Sequence, residues 1–266
     1  SGARVDRALA AAALRVLALH IIASALAHQL LELVDEALNV CWCLLKQHVG
    51  AAPLSAASHE LPLMSPGGAD ALAASIGERS LSRATVRAGG TDVETVGAHI
   101  ALLSMVVPLA SPDGMLGIAS LLDVTAAAWS IELMGELSSL ALALTDAAGV
   151  EYTAVIDDVV DTVDEHIAPA FIGAALRVND GAVPRFAECI IALVALSSDA
   201  VLKLVAKLLA CDFHCVVLQL VERAAHAPSR QMLLSELFVC LFEVAHLVDC
   251  NDATTRKRWL DCVCRV

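Results

Sequence analysis

The stretch SSDAVLKLVAKLLACDFHCVVLQLV, residues 197–221, decides the fold class. Val201, Leu204, Val205, Leu208 and Leu209 recur at the three- and four-residue steps that put apolar side chains on one face of an α-helix. Phe213, Val216, Val217, Leu220 and Val221 repeat the same steps. Ser197-Ser198-Asp199 and Asp212 precede the two stripes, and such residues satisfy the unpaired amides of a helix start. Two short amphipathic helices are therefore expected, joined by a tight polar turn.

The same punctuation extends both ways. Pro228-Ser229 and Asn251-Asp252 mark further helix starts, and Pro184 onward reads as closely spaced helices. Upstream, Thr91-Asp92-Val93-Glu94 is a capping box opening a helix whose stripe is Val93, Val96, Ile100, Leu103 and Val107, ended by Pro108. Ser111-Pro112-Asp113 starts the next helical region, which runs to about Ala148, with a break expected near Gly135 and Gly149 as its carboxyl-terminal cap. Residues 151–167 form another helix that Pro169 should kink or end, and a further piece reaches Val178 before the Asn179-Asp180-Gly181 turn. Residues 69–87 form a weaker helix carrying Arg79, Arg83 and Arg87, closed by Gly89-Gly90.

Composition agrees. The 266 residues are 58% hydrophobic with a mean hydropathy of +0.71, but only 3% aromatic, so Ala, Leu and Val must fill the core. Ala and Leu are strong helix formers. The longest stretch without Asp, Glu, Lys or Arg, Thr95 to Pro112, holds His99 and Pro108, so no membrane span and a soluble chain are expected. Arg4 and Arg7 ahead of an apolar run imitate a signal peptide, yet Arg15 and His20 interrupt it and the periodicity continues to Leu45, which favours a genuine helix. The Ser1-Gly2 start without Met suggests a fragment. Residues 1–49 are read as an amino-terminal helix or helical hairpin, 50–68 with Pro53, Pro62 and Pro66 as a loop or linker, and 69–266 as a helical domain.

Nine cysteines, an odd number without any Cys-x-x-Cys, argue against a disulfide framework and for a reducing, cytoplasmic compartment. The net charge of −13 is concentrated: residues 91–200 hold 16 acids against Arg177 and Arg185, a balance of −14. Such a segment repels phosphate backbones, which speaks against nucleic acid and for a basic protein partner.

From Cys189 to Val248, helix ends followed by short Asp-containing turns resemble armadillo or HEAT repeats, carried by Leu193, Leu196, Ser197 to Val201, Val205, Leu208 and Leu209. Turns at Asp113 and Asp199 lie 86 residues apart, and a weaker one near Asp157 divides this into 44 and 42, within the repeat length of such arrays. The resemblance implies an all-α, right-handed α-solenoid acting as a non-enzymatic protein-interaction scaffold or as a subunit of a larger complex. An irregular helical bundle would show similar punctuation.

Asp157-Asp158-Val159-Val160-Asp161 resembles the Asp-Asp-x-x-Asp motif of class I terpene and prenyl diphosphate synthases, in which such carboxylates hold magnesium on a diphosphate. The companion motif is incomplete: Asn251-Asp252 and Thr255 are present, but Trp259 occupies the Glu position. On a helix, Asp157, Asp158, Asp161, Asp164 and Glu165 fall within an arc of about 120°, opposite Ile156, Val159, Val160, Val163 and Ile167. Asp157/Asp161 and Asp161/Glu165 are like-charge pairs at four-residue spacing, so a basic surface in cis or on a partner is expected to meet this face. Acids persisting into the last turn also oppose the helix dipole, unless the helix continues past Pro169.

Glu243-x-x-His246 is half of a di-iron signature, and Cys211, His214 and Cys215 could cluster on one turn as soft-metal ligands short of a fourth. Trp42 between Cys41 and Cys43, and Trp259 near Cys262 and Cys264, are read as core anchors. No cofactor, metal or catalytic residue is expected from these patterns, and the phosphate loop, nucleophile elbow and His-Glu-x-x-His motifs are missing from the sequence.

Overall fold

Period-3.6 patterning with Ser, Asp and Pro at the breaks yields helices joined by short corners, and every element among the described residues is helical. The computed structural model describes residues 92–175 and 181–245 together with positions 70, 73, 74 and 177. The expectations for residues 1–68, Arg79, Arg83, Arg87, Gly89-Gly90, Val178-Asn179-Asp180 and the segment beyond 245 lie outside them. The chain divides into two compact units, Ser1–Leu121 and Leu122–Val266.

In the first unit, α1 spans Asp92–Val106 and begins where the capping sequence places it. Val96, Ile100, Leu103 and Val107 of its stripe are fully buried, and a 3-10 turn, Val107–Leu109, carries Pro108. The next helix, α2, is Pro112–Trp129, of which residues 112–121 belong to this unit. Ser111 caps it, its Oγ accepting from the Gly114 amide at 3.1 Å. That serine is held in turn by Asp70, whose carboxylate accepts from the Ser111 amide at 2.8 Å and from its hydroxyl at 2.6 Å. A Cβ at Gly114 would overlap the Asp70 carboxylate, so a side chain there would push Asp70 off Ser111.

The second unit contains α3 (Met134–Ala148), α4 (Thr153–Thr162), α5 (Ala168–Ala174), α6 (Ala182–Leu196), α7 (Asp199–Ala210), α8 (Phe213–Arg223) and α9 (Pro228–Ala245). The break after α2 falls at residues 130–133, ahead of Gly135, which sits inside α3 where Ala182 at the start of α6 comes within 3.5 Å of its Cβ position. Gly149 ends α3 with φ +53° and ψ −143°, a conformation that suits glycine. Ser198 caps α7 by accepting from the Val201 amide. Ser197 and Asp212 form the left-handed corners on either side of α7, with φ of 52° and 58°.

Three sequence expectations change. Asp157 is mid-helix in α4, not at a turn. Pro169 does not end its helix: the backbone widens to a π segment, Val163–Ile167, and continues as α5 to Ala174. Proline supplies no amide to the carbonyl four residues back and its ring crowds that carbonyl, and one widened turn accommodates both. In α8, Val216 and Val221 are half-buried while His214 is fully buried beside Phe213, Val217 and Leu220, so the inward face is rotated toward the histidine.

The core of this unit follows from which helices touch. The principal partner of α3 is α6, which also packs on α9, while α4 meets α7. Phe171, Phe186 and Phe213 close the centre, with Phe171 and Phe186 stacked at 4.0 Å between centroids and Phe213 edge-on to both. Among the described residues no single helix is long and apolar enough to cross a membrane; α7 and the run Phe213–His226 reach that length and composition only together, bent by 73°.

Candidate functional site

The acidic face is built by α4 and the π segment that follows it. Val155, Ile156, Val159, Val160, Val163 and Ile167 are all buried, and anchoring that stripe turns the opposite side of the helix outward. Asp157, Asp158, Asp161 and Glu165 are exposed and Asp164 is partly so, which gathers all five predicted acids on one outer surface. The helix runs on through α5, so the dipole penalty expected for a helix ending at Pro169 does not apply.

Two cis contacts border this face. Lys207 in the last turn of α7 hydrogen-bonds the Asp164 carboxylate, which raises the lysine pKa, with Asp161 and Glu165 adding to the effect. His166 Nε2 lies 3.3 Å from Asp123 Oδ1. The middle of the face is different. Partial desolvation, followed by the charges of Asp161, Asp157 and Asp123, raises the Asp158 pKa above its ordinary value. Asp157, Asp158 and Asp161 thus concentrate negative charge in the middle of the face, and Lys207 engages one end of it.

Elsewhere in the acidic segment, Arg185 pairs with Glu188 at 2.9 Å one turn along α6. Burial, then the Glu188 charge, raises the Asp146 pKa. The buried Cys189 thiol is pushed up to about 12, first by desolvation and then by Asp146, which keeps it inert.

A second cluster lies at the α7–α8 corner. Asp212, His214 and Cys215 bring one carboxylate oxygen, one imidazole nitrogen and one sulfur within 4.8 Å of one another. Cys211, which the sequence placed in this group, is exposed and outside it, and Asp212 takes its place. Asp212 is left-handed and makes no side-chain cap to α8, while its carbonyl accepts from the Cys215 amide at 2.9 Å. Burial lowers the His214 pKa against an opposing contribution from Asp212. Glu243 is exposed on α9, whereas His246 lies outside the described residues.

Lys207, Asp123 and Asp212 are the site residues that sequence reasoning missed. Lys207 stands 43 positions from Asp164, and nothing local links them. No family model, curated protein or solved structure matches the chain.

Proposed function

We propose that the chain is a non-enzymatic helical-repeat scaffold whose acidic face, Asp157, Asp158, Asp161, Asp164 and Glu165, docks a basic segment of a protein partner. The observation that carries this reading is the middle of that face: three exposed carboxylates beside one another, with the Asp158 pKa raised by partial desolvation and then by the charges of Asp161, Asp157 and Asp123. A Lys- or Arg-rich segment would relieve the repulsion and gain several ion pairs together, more than an isolated surface pair provides.

The packing pattern supports a repeat. Neighbours recur at a similar sequence distance: α3 packs with α6, α6 with α9, and α4 with α7. The starts of α3, α6 and α9, at 134, 182 and 228, step by 48 and 46 residues, and α4 to α7, from 153 to 199, steps by 46. Those steps are close to the length of armadillo and HEAT units, which hold two or three helices each. An irregular bundle has no reason to keep one step twice over. The handedness of the solenoid is carried by the resemblance alone.

The diphosphate-enzyme alternative asks the Asp157-Asp158-x-x-Asp161 carboxylates to line an apolar cavity with magnesium. Their exposure on the outside of α4 supports docking in preference to that role. Free thiols at Cys189, Cys211, Cys215 and Cys240 are in keeping with a reducing compartment. Exposed Met232, Val239 and Phe242, within an arc of about 80° on α9, suit a subunit of a larger assembly.

Hydrogen exchange in the presence of a Lys/Arg-rich peptide tests the docking site. Slowed exchange confined to residues 153–167 and the neighbouring end of α7 is expected. Protection elsewhere, or none at saturating peptide, would overturn it.

A further inference from the structure

The corner between α7 and α8 concentrates three different donor types. A carboxylate, an imidazole and a thiol, from Asp212, His214 and Cys215, lie with their ligand atoms within 4.8 Å of one another. In a tetrahedral zinc site, bonds of about 2.0–2.3 Å place ligand atoms roughly 3.3–3.8 Å apart, so these donors need move inward by about an ångström or less. Surface clusters in proteins are mostly carboxylates, which suit calcium or magnesium. Nitrogen and sulfur with one oxygen instead select a borderline transition ion.

The backbone explains why the three converge. Asp212 adopts φ +58°, which reverses the chain between α7 and α8, and its side chain makes no capping bond to the first turn of α8. Its carboxylate lies within 4.8 Å of the ligand atoms two and three positions ahead. His214 is fully buried and carried on a helix whose Phe213 is locked in the aromatic core, so its ring is positioned by packing. Asp212 and Cys215 are half-buried, which leaves the outer side of the cluster open to solvent.

We propose that Asp212, His214 and Cys215 form a site for a zinc-class divalent ion, with three protein ligands and a fourth position open to water or to a partner's side chain. The ion would tie the left-handed corner to the first turn of α8. This site stands apart from the acidic face and does not depend on the docking role.

Cobalt(II) titration of the metal-stripped full chain tests it. One equivalent should produce the visible bands of a tetrahedral ion together with a thiolate charge-transfer band, and zinc should displace them. Cys215→Ser should abolish the charge-transfer band and, like Asp212→Asn, weaken binding at least about tenfold, a loss already typical of outer-shell substitutions. Cys211→Ser and Cys240→Ser should bind as the parent does. Helical circular dichroism of Cys215→Ser should match the parent, which separates lost ligation from lost folding. A parent chain without a saturable band, a band that survives Cys215→Ser, or one that depends on Cys211 would overturn the site.

Discussion

At the scale of single residues, Asp158 shows how the acidic face bears on stability. Its pKa is raised from 3.8 by partial desolvation and by Asp161, Asp157 and Asp123, so the folded chain holds that proton more tightly than the unfolded chain does. Stability therefore declines as pH rises from the unfolded value through the folded one, and the penalty is fully present at neutral pH. Asp158→Asn is expected to raise the unfolding free energy by about 0.2–0.5 kcal/mol at pH 7, the scale of one like-charge helical pair. The gain should vanish below the ordinary carboxylate range. Denaturant titrations of both chains at neutral and acid pH check this, and a less stable variant at pH 7 would contradict the strain. Lys207 hydrogen-bonds Asp164 and also attracts Asp161 and Glu165, and a pairing across 43 positions has no local sequence signal.

At the scale of elements, the helices were legible because their signals are local. Ser111-Pro112, Ser198-Asp199 and Pro228 stand at helix starts, and the stripe of α7 is buried along its length. What was legible only in part depends on neighbours. The break expected near Gly135 falls at residues 130–133, and Gly135 itself lies one residue inside the next helix. Pro169 was expected to kink or end a helix, and of the two it does not end it, because the π segment admits it. His214 and Cys215 were legible as donors, but Asp212 escaped because a left-handed corner redirects the side chain in a way helical spacing does not describe. Gly149 gives a direct test at this scale: with φ +53° and ψ −143°, any side chain there is strained. Gly149→Ala should lower stability by about 1–3 kcal/mol, read from the midpoint of denaturant unfolding. An unchanged midpoint would show that the α3–α4 corner relaxes freely.

At the scale of the molecule, the sequence showed helical class and the uneven distribution of charge, because both are sums over composition and short windows. The order in which helices meet, α3 on α6 and α6 on α9, arises from contacts some 46 to 48 residues apart, where the sequence offered only turn spacing. That order places one acidic outer face between Lys207 on α7 and the Asp123–His166 contact. The central claim is that this face binds basic segments, and calorimetric titration with a Lys/Arg-rich peptide measures it most directly. Affinity for the parent chain should fall steeply between about 0.05 and 0.2 M salt, as the Debye length shrinks. Asp157→Asn/Asp158→Asn/Asp161→Asn should bind about tenfold more weakly, a difference of about 1.4 kcal/mol, with a shallower salt dependence. Equal affinity and equal salt dependence in the two chains would contradict the account.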